Sequence, residues 1–179
     1  MNIIKLLLTI LLAVALLAPT VQAGWDANDE EKAEEAVAEF LKADSDLQTF
    51  FDKAYGYAVF YSVGKGAIGV GGAHGKGIVY AQGKATGNSK LTQVSIGFQL
   101  GGQSFREIIF FENKEAYQKF TSGKLEFSAQ VSAVAVTAGA SAGTNFKDGM
   151  AVFTMARGGL MYEASVGGQG FTFKPRPKE

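Results

Sequence analysis

Three basic residues stand beside glycines, and they form the clearest chemical pattern of this sequence. Lys65 lies in the triplet GKG, Lys76 lies in a second GKG, and Arg157 is followed by two glycines. Glycines let backbone N–H groups converge on an anion, and a neighbouring base adds charge for a phosphate. We therefore predict an anion- or lipid-binding role for Lys65, Lys76, Arg157 and the nearby His74. The alternative is that these are turn residues exposed to solvent.

Other chemistries find little support in the residue types. The chain has no Cys and a single His, which argues against thiolate chemistry, His-ligated metals and His-dependent triads. The motif GKGAIG at 64–69 matches G-x-G-x-x-G, but more strand and more glycine follow it instead of a helix. Acidic residues after position 54 are scattered, and no pair has the spacing of a glycosidase dyad. We predict no catalytic residues, no metal and no cofactor.

Residues 1–23 have the pattern of a signal peptide. Lys5 precedes an apolar run at 6–17 that is interrupted only by Thr9, and the small-x-small sequence VQA ends at Ala23. A run of this length is shorter than the ~20 residues of a membrane-spanning helix. We expect a protein exported by a bacterium to the periplasm or the medium, with peripheral membrane attachment left open. A retained signal anchor is the alternative.

Charge and glycine divide the expected mature chain, residues 24–179, into two parts. Residues 24–53 hold ten acids and three lysines, a net charge of −7, whereas residues 54–179 hold thirteen bases and seven acids, a net of +6. Helical periodicity predicts a leader of two amphipathic helices over 28–55. A glycine-rich β body follows at 56–173, and a short polar tail at 174–179. A membrane-inserting leader is the alternative, but interfacial helices favour basic polar faces.

The body alternates apolar and polar residues in about eight segments, which predicts strands. One helix, at 114–122, interrupts them after a capping Asn113. Glycines inside strands indicate bulges, bends or close backbone approach. We predict a single α+β domain, in which a strongly curved, barrel-like antiparallel sheet carries two N-terminal helices and one internal helix.

Four blocks of the body resemble the SYLF domain. They are AYGYAVFYSVGKGAIGVGGAHGKGIVY at 54–80, LTQVSIGFQLGGQ at 91–103, EFSAQVSAVAVTAGAS at 126–141 and ARGGLMYEASVGGQGFTF at 156–173. This domain occurs in yeast actin-patch proteins, in animal and plant proteins with SH3 or FYVE domains, and in exported bacterial proteins. The resemblance implies binding of phosphoinositides or other anionic phospholipids, actin binding in the yeast branch, and no catalysis.

We therefore expect a non-enzymatic domain whose partner is anionic phospholipid or an envelope membrane surface. We expect no nucleic-acid partner and, for an exported bacterial protein, no actin partner; the oligomeric state is not predicted. The alternatives are a small integral outer-membrane β-barrel, a protein-interaction module related to the actin-binding branch, and an enzyme that uses carboxylates.

Overall fold

The structure, a computed structural model, describes residues 26–68, 70–96, 103–127, 133–157 and 166–177. The predicted signal peptide lies outside these residues. Three α-helices are α1 (Ala27–Ala43), α2 (Gln48–Lys53) and α3 (Lys114–Thr121), and a 3-10 turn, Ser45–Leu47, joins the first two. Among the described residues, no helix has the length and apolar character that a bilayer crossing requires.

Seven strands form one sheet in the order β5-β6-β4-β1-β2-β3-β7. Their bounds are β1 Gly56–Ile68, β2 Val70–Ala81, β3 Lys84–Ile96, β4 Gln103–Phe111, β5 Val134–Ala135, β6 Met150–Arg157 and β7 Gln169–Pro175. All neighbours pair antiparallel except β5 and β6, which pair parallel. The α+β class is confirmed, but the described sheet has seven strands and is open, not a closed barrel. Lys174 and Pro175, predicted as tail, belong to β7.

Chain length shows that this open sheet is nevertheless strongly curved. Glu126 and Phe127 pair with the outer edge of β7, while Val134 begins β5 at the opposite edge. Six residues lie between Phe127 and Val134, so seven Cα–Cα steps join them and the two lie at most about 25 Å apart. In a flat sheet the seven intervening strand spacings would place them about 34 Å apart. The sheet must therefore bend its two edges towards each other.

The two faces of the curved sheet bury two separate apolar clusters. Along β1, Ala58 and Phe60 belong to the cluster on the inner face, which α3 covers with Ala116 and Phe120. Val59 and Tyr61 belong to the cluster on the outer face. The leader covers that face with the buried side chains Ala33, Ala36, Phe40, Leu47 and Phe50. The acidic leader is thus a packed part of the domain.

Local sequence sets the helix ends. Asn113 accepts a hydrogen bond from the N–H of Ala116 at 2.9 Å, and Gly123 follows α3 with a φ of +69°, so the predicted internal helix is confirmed. Helix α1 begins after Asp26, which accepts from the N–H of Asn28 at 3.0 Å, so it starts one residue before the predicted leader of 28–55, for which Asn28 is also a possible cap. Both Asp and Asn are strong N-cap residues, so the sequence offered two starting points.

Asp44 joins the leader to the loop that follows β5. Its side chain is 2% exposed and accepts from the N–H of Ser141 at 2.7 Å and of Asp46 at 3.1 Å. Burial by itself raises the pKa of Asp44, but these hydrogen bonds outweigh burial and leave the pKa below its ordinary value. The charged carboxylate therefore stabilises the contact between leader and body.

Candidate anion-binding face

The predicted site residues occupy strands, not turns. Lys65 lies in β1, His74 and Lys76 lie in β2, and Arg157 ends β6. The alternative that the two lysines are turn residues is therefore wrong, and the backbone around them takes part in strand pairing. The glycines beside Lys76 serve packing instead, because a Cβ at Gly77 would lie 2.6 Å from the carbonyl oxygen of Val59 and one at Gly75 would lie 2.7 Å from the Val63 side chain.

Cross-strand register places the lysines of β2 and β3 side by side on the outer face. Lys76 pairs with Lys90 on one side and with Ser62 on the other, and both lysines are exposed. Directly opposite residues have Cβ atoms about 4.5–5.5 Å apart, and like charges there are destabilising. His74 follows in the adjacent row, opposite Thr92. Two positive charges thus lie directly opposite each other on neighbouring strands, where their repulsion lowers the stability of the fold.

Arg157 reaches the same area from β6. Its guanidinium Nη1 lies 3.4 Å from the Oγ of Ser62, the residue directly opposite Lys76. The backbone of Lys65 pairs with Ala73 and Gln103, but its side chain lies outside the part of the chain that the structure describes. Of the four predicted residues, the structure therefore brings His74, Lys76 and Arg157 together on one exposed face.

A groove of about 380 Å³ adds two bases that the sequence analysis missed. Lys90 and Lys174 line it together with Lys76, and we call it the lysine groove. Lys174 pairs with Asn88 on β3, two residues from Lys90, so it is a diagonal neighbour of that lysine. No local pattern marked Lys90 or Lys174, because only the pairing of β2, β3 and β7 makes them neighbours of Lys76.

The strands that carry these residues are almost free of negative charge. Strands β1, β2, β3 and β7 contain five lysines and no acid, and Glu107 of β4 is the one acid within the seven strands. Glu107 is fully buried on the inner side, where it accepts a hydrogen bond from the Gln169 amide at 3.0 Å. We call the exposed outer surface of Lys76, Lys90, Lys174, Arg157 and His74 the basic face.

Helix α1 supplies the acids nearest to this face. Asp26 and Asp29 line the lysine groove from the helix side. Burial raises the pKa of the Tyr61 hydroxyl, and the neighbouring carboxylate of Asp29 raises the pKa further. Further along α1, an ion pair between Glu39 and Arg106 connects the helix to β4. The acidic leader therefore lies along one border of the basic face.

A second groove, of about 350 Å³, lies between α2 and the loop after β5. Its charged residues are Asp46 and Lys53, and the rest of its wall is made of small, polar and aromatic residues. Within the described ranges, no three His, Asp or Glu side chains are grouped as metal ligands. Neither groove therefore offers the geometry of a metal centre.

Comparison with known proteins agrees with the resemblance seen in the sequence. Residues 92–176, from β3 to the end of β7, match the Ysc84 family, which is described as Las17-binding protein actin regulator. The chain is also 28% identical over 139 residues to Beta cell expansion factor A of Aeromonas veronii. That alignment covers 76% of this chain and 52% of the relative, so the chain spans about half the length of the curated relative it matches.

These matches indicate the class of the protein. Residues 92–176 are similar to the Ysc84 family, also called SYLF, and this stretch includes the end of β3 and all of β4 to β7.

Proposed function

We propose that this domain is non-enzymatic and binds anionic phospholipid surfaces through the basic face. The observation that carries the proposal is the exposed pair Lys76 and Lys90, which lie directly opposite each other on acid-free strands. Like charges in that position cost stability in the isolated domain. An anionic partner removes this repulsion, since it neutralises both lysines at once.

Similarity to the SYLF family supports a lipid surface as that partner, because the resemblance implies anionic phospholipid ligands. Each base near an anionic membrane contributes about 1 kcal/mol at moderate salt. Lys76, Lys90, Lys174 and Arg157 together are therefore sufficient for salt-sensitive, reversible attachment. We further propose that the protein acts at an envelope membrane surface after export, in accordance with the signal pattern of residues 1–23.

The distribution of carboxylates supports a binding role over catalysis. Glu107 is buried against Gln169, whereas Glu112, Glu115 and Asp148 are exposed. General acid–base catalysis requires such groups to converge on one substrate position. The family description names actin regulation, but no contact among the described residues favours a protein partner, so we do not propose it for this chain.

The test is sedimentation of the protein with phospholipid vesicles. We expect binding to vesicles that contain phosphatidylglycerol, weaker binding to pure phosphatidylcholine vesicles, and release as salt rises from low to high concentration. Equal binding to both vesicle types, unaffected by salt, would refute the electrostatic mechanism.

A matched pair of variants locates the binding surface. Replacing Lys76, Lys90 and Arg157 with Gln removes three charges from the basic face, and should weaken binding about a hundredfold. The control replaces Lys114, Lys119 and Lys124, which lie in or just after α3, and removes the same net charge. Equal loss in both variants would mean that net charge alone attracts the protein to the membrane.

A further inference from the structure

The lysine groove brings three lysines close together, although repulsion between like charges does not stabilise the fold. Lys76, Lys90 and Lys174 come from three adjacent strands and converge on one concave volume of about 380 Å³. Among the described residues, no acid lies within ion-pair distance of Lys76 or Lys90. Three ammonium groups around one hollow make a point of high positive potential, which suits a small polyanion better than a single monovalent charge.

The opposite wall of this groove belongs to the beginning of α1. Asp26 and Asp29 line the groove, and their polar contacts lie elsewhere: Asp26 caps the helix, and Asp29 lies 3.7 Å from the Nζ of Lys32 and accepts a hydrogen bond from the Tyr61 hydroxyl. The two carboxylates thus face the lysines across the groove without pairing with Lys76 or Lys90. They lower the positive potential of the groove while leaving its volume open.

This first part of α1 is held more loosely than the rest of the helix. None of residues 26–32 is buried, and the first fully buried side chain of the helix is Ala33. The first turn is held by polar contacts, namely Asp29 with the Tyr61 hydroxyl of β1 and Glu30 with Arg176, just after β7, at 3.6 Å. Segments with few buried apolar contacts open at low free energy. The turn can therefore leave the groove while Ala33, Ala36 and Phe40 keep the helix attached.

We infer that the lysine groove is a binding site for a phosphate group, and that the carboxylates of Asp26 and Asp29 compete with that phosphate for the lysines. The inference rests on the proposed function in one respect, because a lipid head group is the expected source of the phosphate. Within the groove, the phosphate oxygens accept hydrogen bonds from the lysine ammonium groups. The carboxylates of Asp26 and Asp29 weaken the binding of every anion. Anions with more than one negative charge still bind, because they attract the lysines more strongly than a monovalent anion does.

The test uses soluble inorganic pyrophosphate as the probe and the chain of residues 24–179 as the protein. Amide signals of Lys76, Lys90 and Lys174, followed by NMR during the titration, should shift together and saturate. The variant Asp26→Asn with Asp29→Asn should bind pyrophosphate about fivefold more tightly, because it removes both opposing charges. Asn is as good an N-cap as Asp, so α1 should still begin at the same residue.

The matched control is Glu31→Gln with Glu35→Gln. Both glutamates are exposed, and they lie one turn apart on the side of α1 that faces away from the buried Ala33 and Ala36. This control removes the same net charge at a greater distance from the groove, and it should change the affinity for pyrophosphate less than twofold. Circular dichroism verifies that both variants keep their helices.

The outcomes separate the site from the membrane function. Saturable shifts at the three lysines, with tighter binding only in the Asp26 and Asp29 variant, support the inference. Absence of saturable shifts, or equal tightening in both variants, overturns it. If pyrophosphate binds as expected but phosphatidylglycerol vesicles do not, the groove takes a free phosphate compound and the proposed membrane function fails by itself. If the vesicles bind and pyrophosphate does not, the membrane function stands without this site.

Discussion

Replacing Lys90 with Gln should weaken membrane binding and stabilise the fold at the same time. Lys90 is exposed and lies directly opposite Lys76, so the substitution removes a like-charge pair and one of the three bases of the lysine groove. Gln keeps most of the length of the side chain and can remain in the strand. Structural lysines that pair with acids respond in the opposite way, because their loss lowers stability.

The magnitudes follow from the position of the side chain. Unfavourable cross-strand pairs cost roughly 0.2–1 kcal/mol, so the free energy of unfolding should rise by that amount. For a chain of this size, the melting temperature should rise by up to about 4 °C. Loss of one base near an anionic surface costs about 1 kcal/mol, which corresponds to roughly fivefold weaker binding.

The assay combines thermal unfolding with vesicle sedimentation on the same preparations. Lys119→Gln is the matched control, since it removes one charge from the last turn of α3, where a base favours the helix dipole. That control should lose about 0.3–1 kcal/mol of stability and keep most of its binding. Lower stability of the Lys90 variant together with unchanged binding would refute our interpretation of the lysine pair.

Two further predictions concern the fold that positions the basic face. Gly77→Ala should destabilise the domain by about 1–3 kcal/mol in urea unfolding, because the new Cβ meets the carbonyl oxygen of Val59 at 2.6 Å; an unchanged midpoint would mean that β1 and β2 separate easily. The pKa of Asp44 in the folded protein lies below its ordinary value of 3.8. The Asp44 carboxylate should therefore contribute its full stabilisation above pH 3.8 and lose it as the pH falls through the folded-state pKa. Asp44→Asn should therefore flatten the loss of stability as the pH falls below 3.8, and a variant with the same acid sensitivity as the natural chain would contradict this assignment.

Much of the architecture could be predicted from local patterns. Alternation along the body indicated a sheet, because successive side chains of a strand point to opposite faces. Asn113 and Gly123 marked the two ends of α3, since a cap and a left-handed glycine act within a few residues of the helix. Composition likewise separated the acidic leader from the basic body.

Strand number and closure could not be predicted in the same way. The sequence indicated about eight segments, whereas residues 56–81 form two long strands, β1 and β2, which pair as a hairpin. Glycines within them suggested turns, because glycine permits turns as readily as close strand packing. Only the neighbouring strand decides between these uses, and at Gly75 and Gly77 the side chains and backbone of β1 fill the space.

The sequence by itself indicated the helices, the β-rich body, the resemblance to the SYLF domain and the excess of basic residues in the body, since each of these depends on residue type and short spacing. Tertiary structure alone decided which bases meet. Lys76 and Lys90 lie on consecutive strands and Lys174 lies far along the chain, and all three become neighbours through the register of β2, β3 and β7. Register depends on the whole set of cross-strand contacts and on the core that each face buries. A slip of any one of these strands by one residue would turn its lysine to the inner face, so the site exists only in the folded sheet.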